Sequence, residues 1–186
     1  MVGNHDDTAA FGEAFPETPR DDNGFVQSSF DTLFGRFLLL DTKDPETHAG
    51  AYCLARQAWL DREMEQTDGP IVLFMHHPPF KTGIASMDRI MLQDAETFYE
   101  VIAPHKARIR HLFFGHVHRA IFGNWRGMSY SCMRGLNHQV ALEINGSADR
   151  IAGNFAPPAY GVVTLSDDQV TVHLHDFTDC SERFFL

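Results

Sequence analysis

Ile71-Val72-Leu73-Phe74-Met75 is a continuous apolar run of strand length, and Ile109 to Phe114 reads as a second buried strand. Phe34 to Leu40 is a third short apolar run, ending in Asp41-Thr42. Between these runs the period changes. Leu54 to Gln66 carries Leu54, Ala58 and Met64 near helical spacing, with Trp59 and Leu60 widening the face, and Gly69-Pro70 ends it. Asp94 can cap a helix whose apolar face is Phe98, Val101 and Ile102, with Pro104 near its end. Asp6 to Asn23 is polar and reads as a surface loop with a helical turn around Ala9 to Phe15. Beyond Arg119 the segments Ala120 to Trp125, Met128 to Met133 and Val140 to Ile144 are shorter and alternate more. Tyr160 to Leu165 and Gln169 to His175, joined by Ser166-Asp167-Asp168, predict a β-hairpin. The pattern predicts a single α/β domain over 1–186, with 139–186 a mostly antiparallel β extension.

The residues that follow the strands carry the chemistry. Ile71 to Met75 runs into His76-His77-Pro78-Pro79, where the prolines stop sheet pairing. Ile109 to Phe114 runs into Gly115-His116-Val117-His118, where the glycine permits a sharp exit from the strand. In open α/β sheets the ligand crevice lies outside the carboxyl ends of the strands. Of the pair His76 and His77, one ring should face that crevice and the other should not, because successive residues leaving a strand point opposite ways. The chain supplies its own control: His173-Leu174-His175 is also His-x-His, but inside a predicted strand, where a half-exposed pair is the simpler reading. Gly3-Asn4-His5-Asp6, at the start, is the third cluster. Neutral imidazole suits first-row metals such as Zn, Fe, Mn and Co. An Asn amide oxygen adds a ligand without adding charge, which leaves the site cationic enough to attract phosphate.

Composition narrows the field. Fifteen Lys and Arg against 25 Asp and Glu give a formal charge of −10, which argues against a binder of polymeric nucleic acid. No apolar run approaches the length of a membrane span, and no signal-peptide pattern opens the chain. Cys53, Cys132 and Cys180 are scattered without a CxxC pair, as expected of reduced thiols in a cytoplasmic protein. Arg119 and Arg126 read as solvated surface, Cys132 as a small buried residue, and Asp88 as a cap, a pocket wall or solvent-exposed.

The order Asn-His, His-His, His-x-His resembles the calcineurin-like metallophosphoesterases, whose signature includes G-N-H-[DE], a histidine after a strand, and G-H-x-H. The resemblance covers nearly the whole chain. With HHPP, the stretch Gly83 to Met87-Asp88, and Leu136-Asn137-His138-Gln139-Val140, it is nearest the bacterial branch of class III cyclic nucleotide phosphodiesterases and glycerophosphodiesterases. It implies the αββα sandwich fold. It implies Asn4, His76 and His116 as ligands of one divalent metal (Fe, Mn, Zn or Co) and His118 of a second. It implies His5 on the phosphate or leaving group, Asp6 orienting the loop, and His138 beside the site. The implied reaction is hydrolysis of a small phosphodiester by a hydroxide held between two metals. Of the paired histidines, His76 is the expected ligand, with His77 structural or lining the pocket.

The family's D-x-H and G-D-x-x-D motifs do not occur in this chain. They supply an Asp and a His to the first metal and a bridging Asp to both, so an impaired two-metal site is expected. A three-ligand site with an open position could still hold Zn or a similar ion. The sandwich is expected to lack its N-terminal strands and helices, exposing apolar sheet around Phe34 to Leu40 and Ile71 to Met75 and favouring homo-oligomers. Two other readings stand: a non-catalytic truncated relative kept for binding, and a phosphomonoesterase, pyrophosphohydrolase or nuclease of the same superfamily.

Overall fold

Six strands form the central sheet in the order β1-β2-β3-β4-β6-β5. They are β1 (Ser28–Thr32), β2 (Gly35–Leu39), β3 (Ile71–Met75), β4 (Ile109–Phe114), β5 (Ile121–Trp125) and β6 (Met128–Cys132). β2, β3, β4 and β6 run parallel, with β1 and β5 as antiparallel edges. The chain is seen in a computed structural model that describes residues 1–185. The architecture is mixed α/β, as the sequence pattern predicts, with two departures. Met128–Cys132, which the sequence marks only as a short alternating segment, joins the parallel sheet beside β4. The polar stretch Ser28–Thr32 is a strand that no hydrophobic pattern announces.

Register places Leu38, Leu73 and Leu112 side by side on one face of the sheet. Helix α2 (Leu54–Glu65) contributes Trp59, Leu60 and Met64 to that core, and α4 (Ala95–Ile102) contributes Phe98 and Ile102. Each fully buried side chain of this kind is worth about 1.5–3 kcal/mol relative to exposure. The face of α2 differs from expectation, since Leu54 and Ala58 are exposed and Arg56 is buried. Arg56 is tolerated because its guanidinium donates to the carbonyls of Ala51 (2.7 Å) and Lys43 (2.8 Å) and lies 4.1 Å over the Phe25 ring. Asp94 occupies the N-cap position of α4, but its carboxylate accepts from the Tyr52 N–H at 2.9 Å instead of capping the helix.

The opposite face is aromatic. Phe30, Phe37, Phe74 and Phe113 follow one another across four strands, with ring separations of 5.2, 5.7 and 4.8 Å. Phe30 is 49% exposed and the other three are half-buried. The expected exposure of apolar sheet is confined to this stripe, because Leu38, Leu40, Ile71, Leu73 and Met75 are fully buried on the helix side. His111 sits beside the stripe. Ser129 Oγ donates to the Arg110 carbonyl and therefore accepts from His111 Nδ1–H at 2.8 Å, while His111 Nε2 accepts from Ser131 Oγ at 2.8 Å. Burial pushes the His111 pKa down to about 4, so the ring is neutral.

Shorter elements complete the chain. Helix α1 (Thr8–Ala14) is capped by Asp7, whose carboxylate accepts from the N–H groups of Ala9 and Ala10. A short helix α3 (Ala85–Asp88) precedes α4, and Asp88 accepts from Thr82 N, Thr82 Oγ1 and Gly83 N, fixing the loop before it. β5 and β6 are joined through Arg126 (φ 51°) and Gly127 (φ 89°), the left-handed pair of a tight hairpin turn. Of the two arginines singled out above, Arg126 is exposed, as read from the sequence, and Arg119 is half-buried. Arg126 pairs with Glu96 at 2.6 Å and lies over Tyr99, and Arg119 donates to the Val140 carbonyl at 2.8 Å. The expected strand Val140 to Ile144 shrinks to β7 (Gln139–Val140), paired with β8 (Gly153–Asn154), and leaves Leu142 and Ile144 exposed. β9 (Tyr160–Leu165) and β10 (Val170–His175) form the predicted hairpin, with His173 and His175 exposed on it.

Among the described residues no helix is long and apolar enough to cross a membrane. The three cysteines are free, and burial raises the Cys132 thiol to about 12.

Candidate metal centre

The four parallel strands end on the same side of the sheet, and the loop after each one delivers histidine. His48 follows β2, His76 and His77 follow β3, His116 and His118 follow β4, and His138 follows β6. The loop Gly3 to Asp6 meets them there, closed by Asp6, which accepts from Gly3 N at 2.7 Å. Asn4, His5, His116, His118 and His138 line one cleft of about 70 Å³, with Met87, Ile90, Val140 and Ile151 as its apolar wall.

At the base of the cleft Asn4 Oδ1 lies 2.9 Å from His76 Nε2. The rings of His76 and His116 are 5.2 Å apart, and those of His77 and His116 are 4.6 Å apart. Among the described residues, His76, His77 and His116 are the grouping of three His, Cys, Asp or Glu side chains whose ligand atoms fall within 4.8 Å of one another. His116 Nε2 is buried with no hydrogen-bond partner, although a buried polar atom left unpaired costs about 1–3 kcal/mol. A ring nitrogen buried next to the His76 ring, in the cleft that Asn4 also lines, and satisfied by nothing in the protein suits a divalent cation. The donor set, imidazole and amide, fits such an ion as well.

His77 belongs to that grouping by distance, but both its ring nitrogens are engaged. Nε2 lies 3.2 Å from the His48 carbonyl and Nδ1 lies 2.8 Å from the Thr42 hydroxyl. His118 is half-buried, and its Nδ1 donates to the His138 carbonyl at 3.0 Å, which leaves Nε2 as the available ring atom. His5 and His138 are exposed at the mouth, the first 5.1 Å from the His48 ring and the second 4.7 Å from the His118 ring.

Burial and crowding keep the inner rings neutral. Desolvation first, then the neighbouring imidazoles, lowers His116 to about 2 and His76 to about 3, and desolvation lowers His77 to about 4. His118 is lowered as well, chiefly by burial. A neutral ring is the form that presents a lone pair to a metal.

The backbone at this site is unusual. His116 (φ 64°) and His118 (φ 47°) are both left-handed, and Val117 N donates to the Gly115 carbonyl across His116. Non-glycine residues in this region cluster at functional sites. The sharp exit from β4 is therefore made by the histidines. Gly115 supplies room instead, since a Cβ there would stand 3.2 Å from His76 Nδ1.

His48 had no place in the sequence reading. Its ring Nδ1 lies 3.2 Å from Asn4 Nδ2 and its carbonyl meets His77. The signal that could have found it is its place after a strand that runs parallel to β3, in the loop that opens on the same crevice.

These features define a class before they define a protein: a parallel-centred sheet with a histidine-rich, metal-competent cleft at its strand ends. A dimetal phosphatase from Danio rerio has the same fold, with a TM-score of 0.65 at 15% identity, over 92% of this chain and 67% of that one. No family model matches the chain. It is 40% identical over 181 residues to a protein of Rhodopseudomonas palustris named "Probable cyclic nucleotide phosphodiesterase", covering 95% of this chain and 65% of that relative. It is 29% identical over 144 residues to a glycerophosphodiester phosphodiesterase of Enterobacter lignolyticus, covering 75% of this chain and 51% of that one. The chain thus spans between half and two-thirds of the length of these relatives. It is related to the calcineurin-like metallophosphoesterase superfamily, as the order of its motifs predicts.

Proposed function

We propose that this chain is a metal-dependent phosphodiesterase acting on small phosphodiesters, either 3′,5′-cyclic nucleotides or glycerophosphodiesters. The observation that carries the reading is His116 Nε2, buried and unpartnered, with its ring 5.2 Å from that of His76 in the cleft that Asn4 also lines. Asn4, His76 and His116 would hold one divalent ion (Fe, Mn, Zn or Co), and His118 would offer its Nε2 to a second. When bound, such ions polarise a phosphoryl oxygen and lower the pKa of a coordinated water. All four ligands are uncharged, so the ions' charge remains to attract a phosphodiester anion in a protein whose own charge is −10. His5 and His138 face the substrate from the mouth, where each can donate to a phosphate oxygen or to the departing alkoxide. Met87, Ile90, Val140 and Ile151 give one wall of the cleft an apolar surface.

The test is hydrolysis of bis(p-nitrophenyl) phosphate against p-nitrophenyl phosphate with Mn²⁺ or Zn²⁺. Diesterase activity lost in Asn4→Ala and His116→Leu is expected; preference for the monoester would overturn the substrate class. A second reading, a non-catalytic relative that keeps the fold for binding, is favoured by one observation. Among the described residues no carboxylate joins the His76, His77 and His116 grouping. Metal binding without activity on either ester would select it. The proposal extends to a cytoplasmic protein that self-associates through the Phe30 to Phe113 stripe.

A further inference from the structure

Strand β3 ends on two histidines whose rings stand at 88° to each other. The second makes a closed set of hydrogen bonds. A carbonyl oxygen only accepts, so His77 Nε2 carries the proton and donates to the His48 carbonyl at 3.2 Å. His77 Nδ1 then accepts from the Thr42 hydroxyl at 2.8 Å, and that same oxygen accepts from the His77 backbone N–H at 3.2 Å. Gly50 lies flush against the ring, since a Cβ there would come within 2.6 Å of His77 Cγ. Gly50 is itself fixed from the far side: its N–H donates to the Met91 carbonyl at 3.1 Å and its carbonyl accepts from Gln93 N at 2.9 Å. The short segment from His48 to Gly50 is therefore clamped onto His77.

That clamp sets the position of the His48 ring. Its Nδ1 lies 3.2 Å from Asn4 Nδ2, and an amide nitrogen only donates, so His48 accepts. The Asn4 side chain has two orientations related by a flip. Only the one seen places the NH₂ on an acceptor and the oxygen toward His76. Only the oxygen can bind a cation. We propose that His48, held by His77 and Gly50, is a positioning residue that turns the Asn4 amide oxygen into the divalent-cation site. The inference rests on Asn4, His76 and His116 forming that site. It also gives the paired histidines separate tasks, one toward the cation and one holding the segment that orients Asn4.

The test measures Zn²⁺ affinity of the full chain by competition with a chromophoric chelator. His48→Ala is expected to weaken binding by about 10–100-fold, the usual effect of removing a group that orients a ligand. His48→Gln, whose side-chain carbonyl can accept the same N–H, is expected to restore most of it. Gly50→Ala, which alters no cleft residue, is expected to weaken binding by displacing His77. Because His48 is exposed, the His48→Ala melting temperature in EDTA should match the parent, separating misfolding from misorientation. The Asn4 side-chain NH₂ resonances of the metal-free protein should shift in His48→Ala and recover in His48→Gln. Parental affinity in His48→Ala, or equal weakness in the Gln and Ala variants, overturns the proposal. If Asn4→Ala and His116→Leu also leave affinity unchanged, the cation site itself is misassigned. If those two weaken it and His48→Ala does not, only the role of His48 falls.

Discussion

Replacing His116 by Leu tests the metal reading without any assay of catalysis. In the metal-free protein His116 Nε2 is a buried ring nitrogen with no hydrogen-bond partner, at a cost of about 1–3 kcal/mol. A leucine removes that cost. It adds no new backbone strain at φ 64°, because histidine already carries a β-carbon there. The metal-free variant should therefore melt at, or a few degrees above, the parent. With metal the proteins should diverge. An ion present at 100 times its dissociation constant stabilises the folded state by about 2.7 kcal/mol. For a chain of this length each kcal/mol moves Tm by about 2–4 °C, so the parent should gain about 5–11 °C over its value in EDTA. The variant should gain little. Differential scanning fluorimetry with Zn²⁺ or Mn²⁺ titrated against EDTA measures both arms. An equal metal-induced shift in the two proteins would refute the argument, because the ion would then be binding elsewhere.

Three further outcomes are expected. His111 is held neutral in the fold with its pKa near 4, below its ordinary value of 6.5, so the unfolded chain binds the proton more readily. Stability should be complete above pH 6.5 and fall as pH drops toward 4, with a slope of at most about 1.4 kcal/mol per pH unit from this residue, and urea titrations of His111→Gln should show a shallower slope than the parent. Gly35→Ala combines a backbone at φ 120° with a β-carbon driven into the Pro70 carbonyl, and should cost about 2–4 kcal/mol by chemical denaturation; a loss under 1 kcal/mol would mean the β1–β2 turn relaxes freely. Light scattering should find the parent associated and Phe30→Lys less so, since Phe30 is the most exposed ring of the aromatic stripe; a monomeric parent would refute association.

What could be read from the residues depended on whether one face or one loop carried the information. Ile71–Met75 has no polar position to obscure it, and α4 has a clear apolar stripe. β1 was invisible because Ser28, Ser29, Asp31 and Thr32 are polar; pairing with β2 and the contact of Phe30 with Phe37 make it a strand. Val140, Leu142 and Ile144 alternate like a strand, but the pairing with β8 does not reach Leu142 or Ile144, so periodicity overstated it. Leu54 misled in the same way: an apolar residue at a helix start need not face the core, and Arg56 does because carbonyls receive it. At the site, the motifs after β3 and β4 brought out four of the six strand-end histidines, His76, His77, His116 and His118, and the family resemblance added His138. His48 escaped because its meaning lies in where its loop lands.

The convergence of four strand-end loops and an N-terminal loop also has a kinetic consequence. Asn4 and His76 are 72 residues apart in the chain, and His116 and His118 lie farther still from Asn4. A cation that joins them closes long loops, contacts that are costly to form before the sheet has assembled. It would therefore be absent from the folding transition state and present only in the finished protein. Its stabilisation should appear almost wholly as slower unfolding, with the refolding rate unchanged, so the ion would act as a latch on the native state and not as a guide toward it.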